Sequence, residues 1–102
     1  MKKELSIAIA AAAIAFAAPA SATGVIKCNA GPQAKWKSMD DLTAKLKKEG
    51  WQVRKVKVDG GCYEAYGTTP KGERVEAYFH PVSLKTLFIG RRGEVLFREK
   101  GY

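Results

Sequence analysis

Apolar and polar residues follow three different patterns along the chain, and the first is a mostly apolar run. The run extends from Leu5 to Ala18, follows a basic start at Lys2 and Lys3, and stops at the helix-breaking Pro19. A basic start, a short apolar stretch and small residues behind it are typical of a secretory signal peptide. The pattern therefore predicts that the protein is exported.

Two cleavage sites of the small-x-small type follow the apolar run, one after Ala20 and one after Ala22. The second avoids a proline beside the scissile bond, so residues 1–22 are the predicted signal peptide and Thr23 starts the mature chain. A transmembrane anchor is the alternative. It is disfavoured because the run is mostly alanine and about 14 residues long, whereas a membrane span takes roughly 20 strongly apolar residues. We expect a periplasmic or secreted protein.

The second pattern is a helical period that begins after Ser38. Met39, Leu42 and Leu46 form one apolar stripe, and lysines fill the last turn before Glu49 and a glycine. Ser38 is a suitable N-cap with acidic residues behind it, and the glycine suits the left-handed conformation that ends many helices. We predict one amphipathic helix over Met39 to Glu49.

The third pattern is the alternation of β-strands, which follows the helix. Its phase shifts near Arg54-Lys55, which predicts a β-bulge there. Hairpin turns are predicted at Asp59-Gly60, at Lys71-Gly72 and at Arg92-Gly93. The fold class is therefore α+β, with one N-terminal amphipathic helix packed on one face of a four- or five-stranded antiparallel sheet. Residues 23–102 form one predicted domain.

Alternation in the middle strands separates two sheet faces. The face that we expect the helix to cover carries Tyr63, Ala65, Val75, Ala77 and Phe79. The other face is left open and carries acidic and aromatic side chains, namely Glu64, Tyr66, Glu76 and Tyr78. We predict that these four residues form a partner-binding face, since the helix leaves them uncovered. Strand addition at a free sheet edge is a second way to bind a partner.

Cys28 and Cys62 are the only cysteines of the chain. A domain of this size buries only about 60% of its unfolded surface and often needs a covalent staple. Disulfides persist in the compartments that exported proteins reach, so a Cys28–Cys62 bond is predicted. This bond should hold the irregular lead-in before the helix over part of the open face near the first hairpin, which leaves the binding surface toward Tyr66 and Tyr78. Closing a loop of about 35 residues stabilises by roughly 4 kcal/mol in loop-entropy terms. A metal site is disfavoured, because His80 is the only histidine and neither thiol has a neighbouring ligand.

The chain is basic, with a net charge of +8 that becomes +7 once Lys2, Lys3 and Glu4 are removed with residues 1–22. A basic surface can attract an acidic protein, anionic lipid headgroups or nucleic acid. Export separates the protein from most nucleic acid, so a protein partner in the cell envelope is the first prediction. Peripheral contact with an anionic membrane surface is the second, and nucleic acid is the third.

Candidate catalytic residues are few. After residue 22 the chain has two serines, which suit a helix cap and a turn, and one histidine, so a serine-hydrolase triad has little to draw on. The alternative function is a small basic nucleic-acid-binding protein or ribonuclease-like enzyme, with a base, an acid and a phosphate clamp on one sheet face. Its candidate residues are Glu64, Arg74, Glu76, Tyr78 and His80. Cross-strand ion pairs explain the same carboxylates more simply, so we expect no catalysis.

Several stretches of the chain, taken in order, resemble the PepSY domain of secreted bacterial proteins. They are the helix ending at Gly50, then WQVRKVKV, DGGCYEAYG and PKGERVEAYFHP. The resemblance covers Cys28 to Val82, with His80 in place of a usual aspartate and Ser83-Leu84 in place of a usual Thr-Gly turn. It implies the α+β fold and a binding or inhibitory module of the kind found in metalloprotease propeptides. It offers no catalytic or cofactor residue.

Overall fold

The computed structural model describes residues 24–102, so the predicted signal peptide and its cleavage after Ala20 or Ala22 lie outside the described residues. The described elements are a 3₁₀ turn (Gln33–Lys35), α1 (Met39–Lys48), β1 (Gln52–Asp59), β2 (Cys62–Thr68), β3 (Arg74–Phe79), β4 (Thr86–Arg91) and β5 (Glu94–Arg98). Within this range no helix combines the length and the apolar character that crossing a bilayer requires.

The five strands form one antiparallel sheet in which each strand pairs with the next strand along the chain. The helix packs on one face of this sheet, with its closest approach to β1. The predicted α+β fold is therefore confirmed, with five strands. The helix precedes the sheet as predicted, although an irregular lead-in, residues 24–38, comes before the helix.

The residues that end α1 on both sides are those predicted from the sequence, Ser38 and Gly50. The Ser38 Oγ accepts a hydrogen bond from the Asp41 N–H at 2.9 Å, and the Ser38 N–H donates to Asp41 Oδ2 at 3.3 Å. This reciprocal pair is a capping box, which satisfies two N–H groups that the helix leaves without an internal partner. At the other end Gly50 adopts a φ of 99°, which a residue with a side chain rarely adopts.

The main hydrophobic core lies between α1 and the sheet. The helix contributes the fully buried Leu42 and Leu46. The sheet contributes Tyr63, Ala65, Ala77 and Phe79. The Trp36 ring meets the Tyr63 ring edge-on with the ring centroids 5.6 Å apart. Burial of each large apolar side chain stabilises the fold by about 1.5–3 kcal/mol.

Two hairpin turns have left-handed backbone at both central residues. In the β1–β2 turn these are Gly60 and Gly61, with φ of 63° and 81°. The prediction that placed this turn at Asp59-Gly60 is wrong by one residue, because Asp59 still pairs within the sheet. In the β4–β5 turn the central residues are Arg92, with a φ of 51°, and Gly93, as predicted.

Two irregular positions complete the sheet. β1 has its predicted bulge, a shift of pairing register between Val53 and Lys55. The β3–β4 connection contains Leu84, which is buried in the main core and has a φ of 63°. Leu84 thus takes a left-handed conformation at the position where the resemblance led us to expect glycine, and its burial in the core compensates for the backbone strain.

Candidate binding face

The sheet face opposite α1 is partly covered by the first residues of the lead-in. We call this segment, residues 24–28, the strap. Cys28 and Cys62 form the predicted disulfide, with an S–S distance of 2.07 Å and a Cα–Cα distance of 5.1 Å. The Cys28 N–H donates to the Gly60 carbonyl at 2.8 Å. Ile26 is buried in a second core, whose other members are Cys62, Tyr78, Leu87 and Phe88.

Asp59 holds the first residue of the strap, Gly24. Its Oδ2 accepts hydrogen bonds from the Gly24 N–H at 2.6 Å and from the Tyr78 hydroxyl at 2.7 Å. The hydrogen bond from Gly24 is the main reason that the pKa of Asp59 lies below its ordinary value, because it favours the charged form. The Tyr78 oxygen also interacts with the Val25 N–H. Burial is the main cause that raises the pKa of Tyr78.

The four residues of the predicted partner-binding face do lie together on this face. In the register of β2 and β3, Glu64 is opposite Tyr78 and Tyr66 is opposite Glu76. However, Glu64 and Tyr78 are 0% exposed. The expectation that they lie open to a partner is therefore wrong, because the second core encloses Tyr78 under Ile26 of the strap and Glu64 is enclosed beside it. Binding through the half-buried Tyr66 and Glu76 stays a prediction.

Glu64 is the one carboxyl group in the described range whose two oxygens are both buried without a hydrogen-bond partner. The nearest cation is Lys57, whose Nζ lies 3.8 Å from Glu64 Oε1. Burial raises the pKa of Glu64, because a carboxylate loses hydration there, and the Lys57 charge and the neighbouring Tyr66 hydroxyl oppose the shift only in part. Glu64 is therefore poorly suited to direct contact with a ligand.

The uncovered part of the face forms a groove between the strap and the β4–β5 hairpin. We call it the β-face groove, and it is lined by Tyr66, Glu76, Phe88, Gly90 and Val95. It consists of two adjoining depressions of about 220 Å³ and about 140 Å³ that share Glu76, Gly90, Arg91 and Arg92.

Gly90 shapes the floor of the groove. A Cβ at Gly90 would lie 2.7 Å from the Phe88 ring, so only glycine lets that ring lie across the strand. The Arg98 guanidinium stands 5.2 Å from the Phe88 ring centroid, at cation–π distance. The groove thus combines an apolar aromatic floor with a cationic wall.

The residues proposed for acid-base chemistry are not brought together on an open surface. Glu64 is buried, and the His80 Nδ1 accepts a hydrogen bond from the Val82 N–H at 3.2 Å inside the β3–β4 turn. Among residues 24–102 no group of three His, Cys, Asp or Glu side chains is placed to hold a metal ion. The arrangement can bind through charge and apolar contact.

Sequence reasoning missed several residues of this face. Ile26 of the strap lies in a stretch without a periodic pattern that would predict its burial, and the sequence pattern identifies Asp59 only as a turn residue. Gly90 did carry a signal, since a glycine inside an alternating strand often marks a close approach of other atoms. Arg98 reaches the groove only because of the register of β5.

Comparison with protein families gives a match that covers most of the chain. The sequence profile of the PepSY family described as peptidase propeptide and YPEB domain matches residues 6–88, which is most of the chain. Searches of curated proteins and of solved structures find no match. PepSY domains are in general propeptide-type or inhibitor-type modules, and many are extracellular or periplasmic. On the extent of the profile match, the chain belongs to the PepSY family of peptidase propeptide and YPEB domains.

Proposed function

We propose that the protein is an exported, non-catalytic module that binds and restrains a protein of the cell envelope, such as a protease. The observation that carries this proposal is the β-face groove. The strap is held by a disulfide and by Asp59, yet it covers only part of the sheet face and leaves the half-buried Tyr66 within reach of a partner. Family membership supports the same class of function.

The proposal includes removal of residues 1–22 as a signal peptide and a mature domain of residues 23–102. The Cys28–Cys62 disulfide supports this localisation, because such bonds persist in oxidising compartments and are rare in the cytosol. The periplasm or the exterior of the cell is therefore the proposed location.

Strand addition is the second proposed way to bind the partner, and the two sheet edges differ in their suitability. β1 has a bulge and exposed cations at Arg54 and Lys55, which are features that protect an edge from pairing. β5 instead exposes Val95 and Phe97, at 52% and 39%. These differences favour β5 as the edge to which a partner strand would add.

A pull-down from envelope extract tests the role of the groove. The wild-type protein and Tyr66→Ala are used as baits, and Tyr102→Ala is the matched control, because Tyr102 is an exposed tyrosine of the C-terminal tail. We expect Tyr66→Ala to lose a partner that the wild type and Tyr102→Ala retain. Tyr78 is unsuitable for this test, since its burial means that substitution would disturb the fold. Equal recovery of every partner by all three baits would exclude the groove.

A further inference from the structure

Four arginines from three parts of the chain meet at one end of the β-face groove. Arg54 lies at the bulge of β1, Arg74 begins β3, and Arg91 and Arg92 lie at the β4–β5 turn. All four line the depression of about 140 Å³ that surrounds Tyr66, and Glu76 is the one acidic residue of that lining. The depression therefore carries a clear excess of positive charge.

Most of this charge is not neutralised within the fold. Arg91 lies 3.6 Å from Glu94, across the turn. Arg54, Arg74 and Arg92 make no ion pair with any residue of the described range. All three are exposed. Their guanidinium groups are thus available to a ligand, and their mutual repulsion is relieved when an anion binds between them.

Arg92 has a backbone conformation that is unfavourable for an arginine. Its φ of 51° is left-handed, and the first central position of such a turn is normally taken by asparagine, aspartate or glycine. A residue held in a strained backbone conformation at a surface site points to a use for its side chain. This observation is independent of the charge excess and leads to the same end of the groove.

We propose that the β-face groove binds an acidic, extended segment of the protein partner. In this arrangement Arg74, Arg91 and Arg92 hold carboxylates of the segment. An apolar side chain of the segment rests on Phe88 and Val95 in the adjoining depression.

Guanidinium groups match carboxylates because their planar N–H donors bind both oxygens at once. The inference rests on the proposed function, because it names the chemistry of the partner that the groove would recognise.

Fluorescence anisotropy with labelled peptides tests the inference directly. The probe is a peptide of alternating glutamate and valine, and its matched control has glutamine in place of glutamate. We expect the acidic peptide to bind and the amide peptide to bind at least about tenfold more weakly, with the difference shrinking in high salt because exposed charges are screened. Equal binding of both peptides, or binding of neither, would overturn the inference.

Two arginine variants and one lysine variant locate the site. Arg74→Gln and Arg92→Gly should each weaken binding of the acidic peptide by about tenfold. Lys47→Gln, on the exposed side of α1, removes the same charge far from the groove and should have little effect. Arg92→Gly has a second readout: its urea midpoint of unfolding should increase, since glycine fits the left-handed turn. If Lys47→Gln weakens peptide binding as much as the arginine variants do, the peptide binds through the net charge of the protein and the inference is wrong.

Two further outcomes separate this inference from its alternatives. Tighter binding of a single-stranded RNA oligonucleotide than of the acidic peptide would overturn it in favour of phosphate recognition. Loss of the envelope partner in Tyr66→Ala, without any binding of the acidic peptide, would overturn the inference and leave the proposed function standing. Binding of the acidic peptide with no effect of Tyr66→Ala on any partner would contradict the proposed function alone.

Discussion

Asp59 connects three parts of the structure that are distant in the sequence. It is the last residue of β1, it accepts a hydrogen bond from Gly24 of the strap, and it accepts another from Tyr78 of β3. Hydrogen bonds to a charged acceptor contribute more to stability than those between neutral groups. One carboxylate therefore fixes both the strap and the central tyrosine beneath it.

The Asp59→Asn variant should be less stable than the wild type by about 1 kcal/mol at neutral pH, since Asp59 is partly open to solvent. The pKa of Asp59 is lowered in the folded state, so its stabilisation is present above the ordinary value of 3.8 and is lost as the pH falls through the lower folded value. Urea unfolding at a series of pH values measures the difference in unfolding free energy between the wild type and Asp59→Asn. This difference should disappear at acidic pH.

Asp40→Asn is the control for this variant, because Asp40 is exposed in the first turn of α1. It should lose only a few tenths of a kcal/mol. If Asp59→Asn and Asp40→Asn have the same stability at neutral pH, Asp59 does not anchor the strap.

Glu64 should have the opposite pH dependence. Its pKa is raised in the folded state, so folding favours the neutral form. The wild type should gain stability as the pH falls from the raised folded value toward the ordinary value of 4.5. Glu64→Gln should lack this gain and should match or exceed the stability of the wild type at neutral pH, because it removes a buried charge that Lys57 compensates only in part.

Thermal unfolding at neutral pH and at about pH 5 measures this effect for Glu64→Gln, with the exposed Glu94→Gln as the matched control. A variant that is much less stable than the wild type at neutral pH would show that attraction between Lys57 and Glu64 outweighs the cost of burial.

The two glycines of the β1–β2 turn, Gly60 and Gly61, have two structural roles. They provide the left-handed backbone of the turn, and they also leave room for the strap. A Cβ at Gly60 would lie 2.4 Å from the Ile26 carbonyl oxygen, and a Cβ at Gly61 would lie 2.5 Å from the Cys28 carbonyl oxygen. The strap backbone can lie this close to the turn, and Cys28 can bond to Cys62, because the two central residues of the turn have no side chains.

Comparison of Gly61→Ala with Gly72→Ala separates the cost of the left-handed backbone from the cost of displacing the strap. Both glycines have a positive φ, 81° and 88°, but a Cβ at Gly72 meets no atom within 4 Å. Gly72→Ala should therefore lose only about 1 kcal/mol, the cost of a left-handed alanine. Gly61→Ala should lose clearly more, because the strap must shift away. Urea unfolding measures both variants, and equal losses would mean that the strap does not press on the turn.

The periodic elements could be predicted from the sequence, whereas for the irregular lead-in only its position over the open face near the first hairpin could be predicted, through the disulfide. The capping box at Ser38, the bulge near Arg54 and the two faces of β2 and β3 follow from local rules that the chain obeys. The strap has no period, so its burial of Tyr78 depends on tertiary packing alone. Leu84 shows the same limit, because its left-handed backbone is held by the core rather than by local preference.

The candidate site also has a part that the sequence predicts and a part that it does not. Alternation correctly placed Glu64, Tyr66, Glu76 and Tyr78 on one face, because side chains in a strand alternate with a period of two. The predicted disulfide also implied that the lead-in covers part of this face near the first hairpin, but it did not show that Ile26 of the strap reaches far enough to bury Tyr78. The arginine cluster also escaped prediction, because Arg54, Arg74 and Arg92 are far apart in sequence and meet only through the strand register.

The mass of the mature protein should report both signal-peptide removal and disulfide formation. Intact mass spectrometry of protein isolated from the cell envelope should find a chain that begins at Thr23 and is two hydrogens lighter than its reduced form, since the Cys28–Cys62 bond forms by oxidation. Free thiols that react with an alkylating agent straight after isolation would contradict the exported, disulfide-bonded state. A chain that retains residues 1–22 would contradict the signal peptide.

The most direct measurement is site-specific photo-crosslinking in living cells. A photoreactive amino acid replaces Tyr66 in the β-face groove in one strain and Ala44, exposed on α1, in another. We expect position 66 to capture one discrete protein of the cell envelope and position 44 to capture none. Capture of the same proteins from both positions, or of nothing from position 66, would contradict a binding module that acts through this groove.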